Sequence, residues 1–178
     1  MSTGEELKDA GIQLYHDGRY EEAAAKFVEA QAAFTTANDT KSAAEAINNR
    51  GVCWRQAAKW VEATAAFDEA RPLFQSLNDV VGEGQVVGNL AALADSQGDK
   101  QRAEQLYEEA IEMFEKVGEK QLAKDTYTAL SKLRLKQRNV LGAMTALDAG
   151  LEQLDKPNLI ERMARKILHS GPSGKTGS

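Results

Sequence analysis

A 40-residue periodicity constrains this chain more than any other feature. A small residue, an alanine, an aromatic and a second small residue recur at constant spacing. The pattern reads Gly11, Ala23, Phe27 and Ala30, then Gly51, Ala63, Phe67 and Ala70, then Ala91, Ala103, Tyr107 and Ala110. A weaker copy reads Ser131, Ala143, Leu147 and Gly150. No insertion breaks the register, and a fixed period of this length marks an array of stacked supersecondary units. Each unit leans on the next to bury its apolar faces. Such arrays present extended concave surfaces that bind other chains.

The units are expected to be helical. Alanine, glutamate, leucine, lysine and glutamine dominate, all good helix formers. Almost no segment alternates apolar and polar residues as a strand does. Each period divides into two amphipathic helices: roughly 4–17 and 20–37, 40–57 and 60–77, 80–97 and 100–117, and 119–137 and 140–154. Thr3 and Glu6 are placed as a capping box. Ala23, Phe27, Ala30 and Phe34 follow the i, i+4, i+7, i+11 stripe of one buried face. Turns are expected at Asp17-Gly18-Arg19, Asn38-Asp39, Lys59, Asn78-Asp79, Gly98-Asp99 and Arg138-Asn139. Alanines at the crossings let the backbones approach, and the aromatic fills the space beside them. Pro72 is expected to kink its helix. Gly82, Gly84 and Gly88 are expected to weaken theirs by roughly 1 kcal/mol each relative to alanine. Gly88 also lets a ligand backbone come close. Their spacing does not match a phosphate-binding turn, and no strand precedes them.

Beyond Pro157, Leu159, Ile160, Met163, Ile167 and Leu168 form a further apolar stripe, expected to cap the last unit. The expected architecture is therefore an all-α solenoid of four helical hairpins plus a C-terminal capping helix. Its units span about 4–39, 40–79, 80–118 and 119–157, with the cap over 158–169 and a disordered tail over 170–178.

Several function classes are disfavoured. The net charge is −5 with both signs interspersed, unlike the basic face that nucleic acid or an anionic membrane requires. No apolar run approaches the ~18 residues of a membrane span, and the polar N-terminus is unlike a secretory leader. A single cysteine, Cys53, allows no internal disulfide and fits a reducing compartment, so a cytoplasmic location is expected. Cys53 itself reads as a small buried apolar residue. Trp54 and Trp60 read as packing residues, with Trp54 a possible anchor at a groove edge. One cysteine with His16 and His169 far apart offers no metal constellation, and no nucleophile motif is present. No enzymatic activity, cofactor or metal is expected.

The recurring small, alanine, aromatic and small positions resemble the tetratricopeptide repeat family, over about residues 5–155. The fourth unit departs from the pattern at Ser131, Arg134 and Leu147. The 40-residue period, with Val87-Gly88-Asn89-Leu90-Ala91-Ala92-Leu93-Ala94-Asp95-Ser96-Gln97-Gly98-Asp99, looks like the subtype of kinesin light chains and cell-polarity adaptors. A weaker similarity to the soluble attachment proteins of vesicle fusion exists. The resemblance implies that the first helix of each hairpin lines a concave groove. Helical spacing then puts Lys8 and Ile12, Asn48, Asn49, Val52 and Gln56, Gln85, Asn89 and Ser96, and Asp125, Lys132 and Lys136 on that face. Asn49 and Asn89 occupy the same position in consecutive units, and in the resembled subtype an asparagine there holds ligand main chain. An amide can donate and accept at once. Lys132 and Lys136 favour an acidic ligand. The carboxylate clamp of some family members is incomplete: Lys8 and Asn49 fit it, but Ile12, Gln85 and Asn89 stand where an asparagine and two cations are expected.

The resulting expectation is a protein–protein interaction module, a scaffold or adaptor, monomeric or weakly homo-oligomeric. It takes a partner peptide at Lys8, Asn48, Asn49, Gln56, Gln85, Asn89, Lys132 and Lys136. Two other readings follow from the same array: a vesicle-fusion-type adaptor using convex or edge surfaces, and a self-associating assembly factor.

Overall fold

The computed structural model describes residues 3–154, 161–163, 166 and 168. The helices form four hairpins: α1 (Gly4–His16) with α2 (Tyr20–Thr36), α3 (Thr40–Gln56) with α4 (Trp60–Ser76), α5 (Val80–Gln97) with α6 (Lys100–Val117), and α7 (Lys120–Lys136) with α8 (Val140–Glu152). Each helix packs on the next along the chain, so the hairpins stack in sequence order. The chain is an all-α solenoid, and no strand occurs among the described residues. α4 continues through Pro72 to Ser76. Residues 161–163, 166 and 168 are helical; the rest of the expected cap, and the expected tail, lie outside the described residues.

The turns repeat as regularly as the helices. Residues 18, 38, 58, 78, 98, 118 and 138 all adopt positive φ, one every 20 residues. At each turn the next residue's N–H reaches back five positions, as in Arg19 N to Leu14 O and Asp79 N to Phe74 O, at 2.9 and 3.0 Å. This left-handed helix end satisfies carbonyls that would otherwise be orphaned. Gly18, Gly98 and Gly118 adopt it without strain, and Asn38 and Asn78 tolerate it. Ala58 (φ 57°) and Arg138 (φ 62°) do not have that freedom. Ala58→Gly is expected to raise the unfolding free energy by about 0.5–1 kcal/mol, strain relief outweighing the extra unfolded-state entropy of glycine. Chemical denaturation checks it; a loss of stability would mean that Ala58 is unstrained.

Helix starts are capped in register. Asp39, Asp79, Asp99 and Asn139 accept the backbone N–H three residues on. Thr3 and Glu6 form the expected reciprocal capping box.

The core runs between the helices as an alanine-lined seam studded with rings. Ala23, Ala63, Ala103 and Ala143 are buried at the hairpin crossings. Phe27 lies over Gly11, and Phe67 over Gly51: a Cβ on Gly51 would sit 2.5 Å from the Phe67 ring. In the fourth hairpin the small position is Ser131, whose buried hydroxyl donates to the Ala143 carbonyl at 2.8 Å, so the departure from the pattern leaves no unpaired polar group there. Arg134 bridges α7 to α6 through Glu104 and Glu108, each at 2.7 Å. Gly82 and Gly84 have a packing role beyond weakening α5, because the Phe74 and Phe114 rings occupy the space where their side chains would be.

Cys53 is fully buried, and burial pushes its thiol up to about 12, so it is an inert packing group. Trp54 and Trp60 pack against the core, with the Lys59 ammonium 5.1 Å from the Trp54 ring centroid.

Candidate functional site

The odd-numbered helices stand side by side, so residues 40 apart occupy equivalent places on them. One level carries Glu45, Gln85 and Asp125, the next Asn49 and Asn89. Between α3, α5 and α7 this face opens into a cavity of about 440 Å³. Asn48, Asn49, Gln85, Asn89 and Asp125 supply its polar wall. Its apolar wall includes Val52, Ala92, Leu122 and Ala129.

The cavity exists because α5 lacks side chains there. Gly84, Gly88 and Ala92 are spaced i, i+4, i+8 and form a bare strip facing the groove. Through that strip the second helix of the hairpin is reached, and Tyr107 and Phe114 of α6 join the lining. Both rings are almost fully buried, at 7% and 2% exposure. Sequence reasoning assigned the groove to first helices alone and missed these two. The signal was the run of small residues, which thins the wall enough to expose the layer behind it. Burial, with the Asp95 carboxylate adding to it, holds the Tyr107 phenol above its ordinary value, while Arg55 acts in the opposite sense. The Arg55 Nε is buried without a hydrogen-bond partner among the described residues.

The two asparagines are not equivalent. The Asn89 amide donates to Asn48 Oδ1 at 3.0 Å. That bond joins α5 to α3, pairs the side-chain oxygen of Asn48, which is only 7% exposed, and leaves the Asn89 side-chain carbonyl without a partner among the described residues. Asn49 is half-buried, and among the described residues its amide makes no bond, so it can both donate and accept. It also borders a smaller pocket of about 230 Å³, lined with Ile12, Tyr15, Phe27, Val52 and Cys53.

Lys8, Gln56, Lys132 and Lys136 lie outside these cavities. Lys8 is tied to Glu5 at 2.8 Å and Glu45 at 3.9 Å, with its ammonium 5.7 Å from the Phe34 ring centroid. The hydrogen bond to Glu5 holds that ammonium above the ordinary lysine value, against the effect of burial, and Glu45 adds to it. Gln56 donates to the Tyr15 hydroxyl at 3.0 Å. Lys136 is paired with Asp95 at 2.6 Å. Lys132 is exposed and has no ion pair among the described residues. Asp125 accepts from Gln121 at 2.9 Å and meets no cation among the described residues. No group of three histidine, cysteine, aspartate or glutamate side chains among the described residues could hold a metal ion. No described helix is long and apolar enough to cross a membrane.

A stacked hairpin solenoid with an open concave face defines a class of repeat scaffold. Residues 42–116 match the family model of the tetratricopeptide repeat. Repeats of this kind are in general protein-interaction modules rather than catalysts. Among solved structures, BtubC (BKLC) from P. vanneervenii aligns over 97% of this chain and 66% of its own, at 18% identity and a TM-score of 0.70. PilF of Pseudomonas aeruginosa aligns over 93% and 84%, at 17% identity and a TM-score of 0.49. The APC/C hetero-tetramer Cut9–Hcn1 aligns over 94% and 36%, at 16% identity and the same TM-score of 0.49. The chain thus spans just under two thirds of the BtubC length. No curated protein sequence matches the chain significantly.

Proposed function

We propose that this chain is a non-enzymatic, cytoplasmic scaffold or adaptor that holds an extended segment of a partner protein in its concave groove. The observation that carries this is the cavity beside the bare strip of α5, where Asn49, Gln85 and Asn89 surround a surface with aromatic rings behind it. An extended segment has unpaired main-chain N–H and C=O groups at regular intervals, and amides meet both. The absent side chain at Gly88 admits a backbone close to α5. Asn49 is the principal main-chain contact, Asn89 an acceptor, and Gln85 an adaptable rim group. Lys8, Gln56, Lys132 and Lys136 flank the bound segment.

The test uses 12-residue peptides selected from a displayed random library against the full chain. Gly88→Leu is the most informative variant. Gly88 lines the cavity, a Cβ there would meet nothing closer than Ala110 Cβ at 3.9 Å, an ordinary contact, and replacing glycine favours the helix. The variant is expected to keep its thermal stability and lose the selected peptides. Asn49→Ala is expected to weaken them about 3- to 10-fold, the loss of one or two hydrogen bonds. Peptide affinity unchanged in both variants would place the binding surface elsewhere.

A further inference from the structure

The groove cavity carries one charge, and its sign is opposite to that suggested by the lysines at the end of α7. Asp125 is the only charged residue among the described residues lining it. Lys136 is neutralised by Asp95. Lys132 lies seven residues beyond Asp125, about 10 Å along the helix. That is about one screening length at 0.1 M salt. Lys8 is held by two carboxylates, and Arg55 is not part of the lining.

The neutral groups around Asp125 suit a cation on an apolar stem. Gln85 stands at the equivalent level on α5, and the Phe114 ring lies directly behind Gly84, within 2.8 Å of where a Cβ would be. A carboxylate, an adaptable amide and an aromatic ring favour an ammonium or guanidinium head. Val52, Ala92, Leu122 and Ala129 offer contact to methylenes. An anionic side chain would meet a carboxylate and rings with no cation to offset its desolvation.

We propose that the cavity between α3, α5 and α7 is a side-chain pocket for a lysine or arginine of the bound segment, with Asp125 as its ion-pair partner. This rests on the groove being the binding surface. The pocket selects partners whose docking segment places a basic side chain at Asp125.

Library selections on the wild-type chain and on Asp125→Lys test it. Wild-type selections are expected to be enriched in lysine and arginine, and Asp125→Lys selections to lose that enrichment. For a selected peptide, Asp125→Asn is expected to weaken binding about 3- to 10-fold, and Lys132→Ala by less than about 2-fold. Replacing the enriched basic residue by norleucine should abolish the sensitivity to Asp125. Peptides that are blocked by Gly88→Leu but are acidic, or indifferent to Asp125, overturn the cationic pocket and leave the groove intact. If no selected peptide is sensitive to Gly88→Leu, the groove assignment fails and the pocket fails with it.

Discussion

Phe67→Ala is expected to lower the unfolding free energy by about 3–5 kcal/mol. The ring is completely buried at the middle of the array, among Ala44, Ile47, Ala63, Ala66, Ala70, Phe74, Val86, Leu90 and Leu93. It fills the space left by Gly51 on the facing helix. Removing it leaves a cavity between close-packed helices, with four alanines and Gly51 in its wall too short to lean in, so much of the lost packing is not recovered by relaxation. Stability in stacked repeats is a sum of unit and nearest-neighbour terms. The loss therefore falls on the junction of the second and third hairpins and weakens the link between the two halves of the array. Urea unfolding followed by circular dichroism should show the lower midpoint together with a broader or two-step transition. A loss below about 1 kcal/mol would show that the aromatic at the repeat position is not the packing centre described here.

The second large effect has the opposite sign to that given by helix propensity. Glycine to alanine in a helix gains up to about 1 kcal/mol. Gly82→Ala is instead expected to cost about 1–3 kcal/mol. Its Cβ would lie 2.2 Å from a Phe74 ring carbon, and that ring is only 1% exposed and cannot swing into solvent. The new methyl must push α5 off α4, at the place where the Asp79 side chain accepts the Gly82 N–H and starts the helix. Phe74→Leu in the same background should recover part of the loss by shortening the opposing side chain. A stabilised Gly82→Ala protein would mean that α5 does not rest on Phe74. Gly88 on the same helix is the internal control, because a Cβ there meets nothing closer than 3.9 Å.

The two glycines show where one-dimensional reasoning ends. Spacing along a helix states which residues share a face, so Gly82, Gly84 and Gly88 looked alike as weak helix formers. Only the position of the neighbouring helix separates them: Phe74 fills the space at Gly82, Phe114 that at Gly84, while a Cβ at Gly88 would make only an ordinary contact with Ala110. The same limit applies to the candidate site. Asn49 and Asn89 are equivalent by register, yet Asn89 is engaged by Asn48 and Asn49 is not. Lys132 and Lys136 share a face, yet Asp95 neutralises only Lys136. Each of those bonds joins residues 41 apart in sequence. A 3.6-residue periodicity carries no information about such pairs.

The chain's sequence alone determined the repeat length, the helical hairpin plan, the turn positions and which residues share a helix face. All of these follow from interactions within a few residues: an apolar stripe, a cap three residues ahead, a left-handed residue at each helix end. The tertiary structure alone decided which polar groups on that face remain free, and where the wall is thin enough to expose the aromatic layer behind it. Those outcomes depend on side chains meeting across neighbouring helices, where a shift of one ångström decides whether two groups bond to each other or stay open to a ligand.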